Sequence, residues 1–406
     1  MMRFCTRQAI LAISGAAAVA GLIGFAFAGR AAAQGQAAPK GQTAGKAPAA
    51  TKAGKGAPAA TSTPAAEAFN NVTTTSLGAL SVDDFLGSMG VIAAALGYDC
   101  ADCHPGAGSD KVDWVTDSNP KKVTARKMIN MVAAINRTNF GGQQKVTCFT
   151  CHHGKDLPTT TIALDTLYGP PNEERRDILE PGQGVPTIDQ VLNKYIQAVG
   201  GAQRLAGLTS WVATGTSLGY EGLGGGGSFQ IIAKRPNQRT TLIEFKEHPE
   251  RGNNTRVFDG KNGWIKSPRG LLSEYELTGT ELDGARLDAM LSFADQMKSA
   301  LNNWRVGQLE SMGDKDVQVV QGSGPRGLLA TFYFDKDSGL LLRTVRYGTS
   351  PIGRVPTQMD FSDYRDVNGI KFPFKYTFSW LDGKDSFQIT DVKLNGAIAA
   401  SKFAKP

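Results

Sequence analysis

Residues 372–380 read Phe-Pro-Phe-Lys-Tyr-Thr-Phe-Ser-Trp and place an aromatic side chain at every second position. Because successive side chains of a β-strand point to opposite faces of a sheet, this alternation predicts a half-buried antiparallel strand with one aromatic face. Pro373 has no backbone N–H, so we expect the strand to start at a sheet edge. We interpret the aromatic face as sheet core, and the alternative is that it lines an apolar groove.

The sequence around this strand, residues 187–406, has the pattern of a β-rich domain. A helical pattern runs from Thr187 to Leu208 with a break at residues 200–201, and a second helix is predicted within residues 280–300. Short alternating segments make up much of the remainder. They are separated by turns rich in Asp, Asn and Gly at residues 259–263, 335–339, 366–369 and 382–385.

The N-terminus has the features of an export signal. Arg3 and Arg7 precede an uncharged stretch, residues 9–28, and small-residue cleavage sites follow at residues 26–28 and 31–33. We therefore predict that residues 1–33 are a signal peptide and that the protein is periplasmic. The alternative is an uncleaved segment that anchors the protein in the membrane, because an uncharged stretch of this length can span a bilayer.

Two further segments are predicted to be linkers. Residues 34–68 consist mostly of Ala, Gly, Pro, Thr and Lys, which cannot bury a core, so we expect disorder. Residues 157–186 contain five prolines and predict a Pro-rich linker. These linkers separate a domain at residues 69–156 from the β-rich domain at residues 187–406.

The net charge of +7 comes from the N-terminal segment. Of the 44 Lys and Arg residues, seven lie within residues 1–66, which contain no acidic residue, and the other 37 equal the 37 acidic residues of the chain. A neutral remainder offers no basic surface to DNA or RNA phosphates. We therefore expect no nucleic-acid partner.

Residues 69–156 contain two C-x-x-C-H motifs, which use every cysteine except Cys5. This motif is the attachment signature of haem c, because the two sulfurs can form thioethers with the haem and the histidine can bind the iron. The sequence predicts two covalently bound haem c groups, attached through Cys100, Cys103, Cys148 and Cys151, with His104 and His152 as iron ligands. The alternative is one zinc ion bound by the two C-x-x-C pairs.

The second axial ligand of each iron is predicted to be methionine. Beyond the signal peptide the chain has only four histidines, and His153 cannot reach the far side of a haem held by His152, while His248 lies in the β-rich domain. Methionine paired with histidine is typical of electron-transfer haems. The methionines of residues 69–156 are Met89, Met128 and Met131.

Both methionine-bearing segments are predicted to be helical. Ser81 with Asp84 predicts the start of a helix that carries Met89 on its apolar face. Asn119 and Pro120 predict the start of another, on which we expect Met128, Met131, Val132 and Ile135 to face the core. The periodicity leaves Met128 and Met131 as equal candidates.

Residues 124–131, 134–136 and 146–152 resemble the second haem segment of the cytochrome subunit of photosynthetic reaction centres, and residues 85–104 resemble the first. The resemblance implies a mainly α dihaem cytochrome c domain. It further implies that Met89 binds the first iron and Met128 the second. Two features depart from that family, because its subunit carries four haems and because His153 stands where arginine is usual.

The last 220 residues resemble the periplasmic lipoprotein-carrier (LolA-like) family. The resemblance rests on Gly200-Gly201, on Phe-Asp-Gly-Lys-Asn-Gly-Trp at residues 258–264 and on Asp-Val-Asn-Gly-Ile-Lys-Phe-Pro at residues 366–373. It implies an α+β domain built as a curved antiparallel half-barrel closed by helices. Its concave face would then bind an apolar ligand.

The sequence therefore predicts a multidomain protein that acts as an electron carrier and has no catalytic residues. The expected partners are redox proteins, such as a membrane-bound reaction centre, as the resemblance implies, or a respiratory complex. One alternative is a dihaem enzyme such as a peroxidase, which needs an iron with an open site. The other is a lipid- or quinone-binding protein that carries a redox module.

Overall fold

The computed structural model describes residues 63–107, 111–158, 160–161, 177–220, 226–246, 249, 252–268, 272–381 and 383–406. The predicted signal peptide, most of the first predicted linker, half of the Pro-rich linker and His248 lie outside these residues. Within the described part of the chain, every helix is too short or too polar to span a membrane.

The first part of the chain is helical where it is described. Its helices are α1 (Ala65–Ala68), α2 (Thr75–Gly78), α3 (Val82–Leu96), α4 (Cys100–Cys103), α5 (Pro120–Asn139) and α6 (Cys148–His152). The Ser81 side chain accepts a hydrogen bond from the Asp84 backbone N–H, and the Asn119 side chain accepts one from the Lys121 N–H. The two long helices, α3 and α5, thus begin where their capping residues predict.

The second part of the chain forms one open antiparallel sheet. Its strands are β1 (Ser210–Tyr220), β2 (Ser228–Lys234), β3 (Gln238–Glu244), β4 (Asn254–Phe258), β5 (Gly263–Lys266), β6 (Glu274–Leu277), β7 (Asn302–Met312), β8 (Lys315–Ser323), β9 (Leu329–Asp335), β10 (Leu341–Ser350), β11 (Gly353–Val367), β12 (Ile370–Trp380) and β13 (Gly383–Leu394). They lie in the order β6-β5-β4-β3-β2-β1-β13-β12-β11-β10-β9-β8-β7. The chain therefore builds one half of the sheet, crosses to the far edge, and returns until β13 pairs with β1.

Four further helices belong to the sheet domain: α7 (Ile188–Ala198), α8 (Ala202–Ala206), α9 (Gly279–Leu291) and α10 (Met297–Ala300). Short 3₁₀ turns lie at Ala294–Gln296, Pro325–Gly327 and Ala400–Phe403. The break between α7 and α8 falls at Gly200, where a Cβ atom would lie 2.5 Å from the Gly369 carbonyl oxygen. The predicted interruption of this helix is confirmed.

The sheet is curved around α9. This helix contacts β3 and β4 as well as β10, and β3 and β10 are six strand spacings apart in the sheet. A flat sheet would separate them by about 30 Å, far more than the diameter of one helix, about 10–12 Å. The open, curved antiparallel sheet fits the half-barrel expected for residues 187–406.

The aromatic strand forms part of the main core, as predicted. Phe374, Tyr376, Phe378 and Trp380 are buried between the sheet and the helices. The expectation that the strand starts at a sheet edge is wrong, because β12 lies between β11 and β13. Pro373 is tolerated because the pairing of β12 with β13 begins only at Lys375, so that β11 alone flanks β12 at the proline.

The helical segment and the sheet domain share a second core. Val82, Leu86 and Val91 of α3 pack with side chains of β4, β5, β6, α9 and the β10–β11 hairpin. Ile129 of α5 joins the same cluster. The two parts of the chain are therefore packed together through α3.

The described end of the Pro-rich segment follows the edge of the sheet. The Gly182 backbone N–H donates to the Val306 carbonyl oxygen at 2.8 Å, and the Leu179 N–H donates to Gln321 Oε1 at 3.1 Å. Asp177 forms an ion pair with Arg354. Residues 177–182 are thus fastened to β7, β8 and β11.

Candidate functional site

Each C-x-x-C motif forms a single helical turn with the same cap. In α4, Asp99 Oδ1 accepts from the N–H groups of Ala101 (2.7 Å) and Asp102 (3.3 Å), while Asp102 Oδ2 accepts from the Asp99 N–H (2.9 Å). In α6, Thr147 and Thr150 form the same reciprocal pair, at 3.3 and 3.0 Å. The caps fix both turns, and residues three apart on a helix share a face. Each pair of sulfurs is therefore held on one side of its turn.

The four motif cysteines lie within the described residues and form no disulfide with one another. Cys100, Cys103 and Cys148 are half-buried and Cys151 is exposed. Burial raises the pKa of the Cys103 and Cys148 thiols.

The His152 ring is oriented by its own turn. Its Nδ1 atom lies 3.0 Å from the Lys155 carbonyl oxygen. A carbonyl can only accept a hydrogen bond, so this contact assigns the proton to Nδ1 and leaves Nε2 as a free acceptor. Orientation of this kind, in which one ring nitrogen bonds to the backbone, is usual for metal-binding histidines. His152 therefore fits the role of an iron ligand.

His104 lies in a more enclosed position. Its ring packs against the Trp114 ring with centroids 5.1 Å apart, and its Nδ1 atom is buried without a hydrogen-bond partner among the described residues. Burial lowers the pKa of His104, and the positive charge of Lys122 lowers it further. A neutral imidazole is the form that binds a metal. The thiols and histidines of the two motifs thus form a donor set that fits haem c.

The three candidate methionines differ in burial. Met89 on α3 packs against the shared core, whereas Met128 and Met131 on α5 are 38% and 43% exposed. The expectation that both face the core is wrong, because α5 turns Ile129, Val132 and Asn136 inward. Exposure does not separate Met128 from Met131, and the assignments of Met89 and Met128 to the two irons stay predictions.

The motifs are fastened to both long helices. The end of α3 contacts α6, where the Gly154 N–H donates to the Ala95 carbonyl oxygen at 2.9 Å. The start of α5 adjoins α4, where Asn119 Nδ2 donates to the Asp102 carbonyl oxygen at 2.7 Å. The contacts therefore place α6 against α3, which carries Met89, and also against α5, while α4 adjoins the start of α5. They do not single out the pairing of Met89 with the first motif and of Met128 with the second.

Asn136 connects α5 to the second motif, and sequence reasoning gave it no role of its own. This buried side chain accepts from the N–H groups of Lys145 (3.0 Å) and Val146 (2.9 Å) and donates to the Val146 carbonyl oxygen (2.7 Å). Three hydrogen bonds from one buried amide fix the approach of the chain to Cys148. No local sequence signal marks such a contact, since it joins residues about ten positions apart.

The junction between α3 and the sheet domain contains buried charges. Tyr275 donates a hydrogen bond to Asp83 Oδ1 at 3.1 Å, and Glu281 lies 3.2 Å from Arg346 and 3.5 Å from Arg256. Burial raises the pKa of Asp83 well above its usual range, and nearby Glu281 adds to the effect. For the same reasons the pKa of Asp84 is raised to about 6.

The half-barrel encloses a cavity of about 160 Å³ between the sheet and its helices. Its lining is largely apolar and includes Trp211, Leu291 and Phe361, and its charged residues are Arg239, Asp288 and Lys371. Arg239 donates to Ser292 Oγ at 2.7 Å, and burial lowers the pKa of its guanidinium group. The aromatic face of β12 is thus mainly core, and Phe372 and Tyr376 also line this cavity.

The described residues contain no group of three or more His, Cys, Asp or Glu side chains that could hold a metal ion. The four motif cysteines, all of them described, thus do not converge on one point. The zinc alternative would need them to do so.

Comparison with known proteins gives two separate likenesses. The family described as "Photosynthetic reaction centre cytochrome C subunit" matches residues 24–187. This match confirms the resemblance of the N-terminal part to a cytochrome family, whose members are electron carriers that contain haem. It supports a cytochrome-like electron-transfer function for this protein.

The second likeness concerns the sheet domain. A LolA superfamily protein from Nitrosomonas europaea is 14% identical, with 54% of this chain and 99% of that chain covered at a TM-score of 0.38. A DUF1329 family protein from Desulfovibrio piger is 12% identical, with 54% and 98% covered at a TM-score of 0.39.

Proposed function

We propose that this protein is an exported dihaem c-type cytochrome that carries electrons in the periplasm. The observation that carries the proposal is the repeated local structure of the motifs. Each forms a capped helical turn that presents two thiols and is followed by or ends at a histidine. The first turn adjoins the start of α5, and the second contacts α3 and α5. The family match over residues 24–187 supports it.

The residues proposed to hold the haems are Cys100, Cys103, Cys148 and Cys151 as covalent attachments, His104 and His152 as proximal iron ligands, and Met89 and Met128 as the ligands opposite them. When bound, each haem supplies an iron that gains or loses one electron. The Lys155 carbonyl oxygen keeps the proton on His152 Nδ1, and burial keeps His104 neutral, so both rings offer a nitrogen lone pair.

The proposed partner is a redox protein, either a membrane-bound reaction centre or a respiratory complex. A carrier is favoured over a peroxidase because a candidate methionine is available for each iron and histidines that could act as an acid or base are scarce in the sequence. The test is a redox-titrated visible spectrum of protein expressed with a haem-attachment system. Low-spin spectra that are unchanged by peroxide and carbon monoxide support a carrier, whereas a haem that binds either reagent supports an enzyme.

A second function is favoured by the cavity of the sheet domain. We propose that it holds an apolar ligand such as a lipid or a quinone, because aromatic and aliphatic side chains line it. Arg239 at its wall suits a ligand with a polar or acidic end. Solvent extraction of the purified full-length protein, followed by mass spectrometry, tests this proposal. A stoichiometric lipid or quinone supports it, and an extract without either counts against it.

A further inference from the structure

Charge is divided unevenly between the two motif regions. Residues 97–117, around the first motif, contain five aspartates and one lysine. Residues 118–155, which comprise α5 and the second motif, contain seven lysines and arginines and no acidic residue. The chain beyond residue 66 is therefore neutral overall but contains an acidic segment followed by a basic one.

The first three cations of the basic segment form ion pairs or hydrogen bonds with the acidic segment. Lys121 lies 3.6 Å from Asp102, and Arg126 lies 2.9 Å from Asp117. Lys122 Nζ donates to the carbonyl oxygens of Trp114 (3.2 Å) and Thr116 (2.5 Å). The start of α5 is thus neutralised by the acidic segment beside it.

The other four cations, Lys127, Arg137, Lys145 and Lys155, form what we term the basic rim. All four are exposed, and none belongs to an ion pair among the described residues. The carboxylate nearest to them in sequence is Asp156, whose Oδ1 accepts from the Leu157 N–H. The rim therefore keeps a net positive charge that faces solvent.

Backbone hydrogen bonds place two residues of the rim, Lys145 and Lys155, at the second motif. The Lys145 N–H is bonded to Asn136, which places Lys145 beside Arg137 at the end of α5. The Lys155 carbonyl oxygen is the partner of His152 Nδ1. Lys127 precedes Met128 on α5. Lys127 and Lys155 thus lie next to Met128 and His152, which are proposed to hold the second haem. Arg137 and Lys145 lie next to Asn136, which fixes the chain before Cys148.

We propose that the basic rim is the docking surface for a redox partner protein with an acidic face, which exchanges electrons at the second haem; this inference rests on the proposed function. Opposite charges steer proteins into contact and raise association rates at low salt. Small, transient interfaces are usual for electron-transfer complexes. An anionic membrane would also attract these cations, but Lys145 and Lys155 flank the second motif in the chain, where a partner protein has to approach.

The test uses the full-length, haem-loaded protein and plastocyanin, an acidic copper protein, as the probe. One electron passes from the reduced protein to Cu(II) of plastocyanin, which becomes Cu(I), and no atom or proton is transferred. Stopped-flow rates are measured at low and high ionic strength. The rim variant carries Lys127→Glu, Arg137→Glu and Lys145→Glu. The control carries Lys375→Glu, Lys393→Glu and Lys402→Glu, which are exposed positions on the sheet domain.

We expect the wild-type rate at low salt to fall steeply as salt is added, since screening shortens the range of the attraction to about 10 Å at 0.1 M. At low salt the rim variant should be at least about tenfold slower than wild type, and the control should stay within about twofold. A variant with glutamine at the three rim positions should lie between them. Equal rates for the rim variant and wild type would overturn the proposal.

Two further measurements separate the causes of a failure. Oxidation by uncharged 1,4-benzoquinone should be the same in wild type, rim variant and control. If haem-loaded wild-type protein exchanges no electrons with benzoquinone, the proposed function and the docking surface are both overturned. If it exchanges electrons normally and the rim variant reacts with plastocyanin as fast as wild type does, the docking surface alone is overturned. Rim-dependent binding to phosphatidylglycerol vesicles, without an effect of the variant on plastocyanin, would assign the rim to a membrane and also overturn it.

Discussion

The phenolic hydroxyl of Tyr275 on β6 donates a hydrogen bond of 3.1 Å to Asp83 Oδ1 in the first turn of α3. This contact joins residues 192 positions apart and lies where the helical segment enters the sheet domain. Asp83 is buried and Tyr275 is half-buried, so loss of the contact would leave the Asp83 oxygen without water to replace its partner. The contact therefore helps to fix α3, and with it the candidate haem sites, against the half-barrel.

Replacing Tyr275 with phenylalanine should destabilise this junction. Loss of the hydrogen bond should lower the free energy of unfolding by about 1–2 kcal/mol, because Asp83 is left with an unpaired buried oxygen. Urea denaturation measures the change. In a double-mutant cycle, Tyr275→Phe should cost less in an Asp83→Ala background, which lacks the acceptor, and equal costs in both backgrounds would show that the two residues are not coupled.

Asp84 should make the stability of this junction depend on pH. Its pKa is about 6 in the folded protein, against 3.8 for an ordinary aspartate. The folded state therefore holds the proton more tightly, and stability should fall as pH rises between these two values. Asp84→Asn should remove the part of this fall that Asp84 contributes and raise the stability at pH 8 by on the order of 2 kcal/mol. Urea midpoints from pH 4 to 8 measure it, and exposed Asp391→Asn is the control.

Replacing Asn136 should reduce haem attachment at the second motif and leave attachment at the first motif unchanged. Asn136→Ala removes three hydrogen bonds that fix the chain before Cys148 and should cost about 2–3 kcal/mol. We expect lower haem loading at the second motif, measured by peptide mass spectrometry. Asn139→Ala on the exposed end of the same helix is the matched control. Equal loading in both variants would contradict the proposed role of Asn136.

The methionine assignments can be separated by substitution. Met89→Ala and Met128→Ala should each leave both haems attached, lower the reduction potential of one and let carbon monoxide bind to it, because a thioether ligand raises the potential. Met131→Ala should leave the spectrum and the potentials unchanged. A reversed outcome for Met128 and Met131 would assign the second iron to Met131.

Filling the cavity of the sheet domain should displace its proposed ligand. Leu291→Trp adds volume at the wall of the cavity of about 160 Å³ and should reduce the lipid or quinone recovered by extraction. Leu309→Trp makes the same change at an exposed position on β7 and should not. Unchanged recovery from Leu291→Trp would place any bound lipid elsewhere.

The sequence contains strong local signals for parts of this fold. The alternation at residues 372–380 predicts β12, and the caps at Ser81 and Asn119 predict the starts of α3 and α5, because each signal involves residues only two or three positions apart. The paired Asp99 and Asp102 also marked the cap of α4 by their spacing, although we gave them no role from the sequence.

Features that depend on distant contacts could not be predicted in this way. Met128 and Ile129 are both apolar neighbours on α5, and only the packing of residues 145–148 and of the shared core decides that Ile129 is buried. The burial of Asp83 likewise depends on Tyr275 and α9, which lie about two hundred residues away. From the sequence alone an aspartate is expected to be exposed, so the burial of Asp83 could not be predicted.

The most direct test of the central claim is the intact mass of the exported protein after expression with a haem-attachment system. We predict a mass increase equal to two haems, which falls to one in Cys100→Ala/Cys103→Ala and to one in Cys148→Ala/Cys151→Ala. A wild-type protein without covalent haem, or one that binds a zinc ion through the same cysteines, would contradict the account.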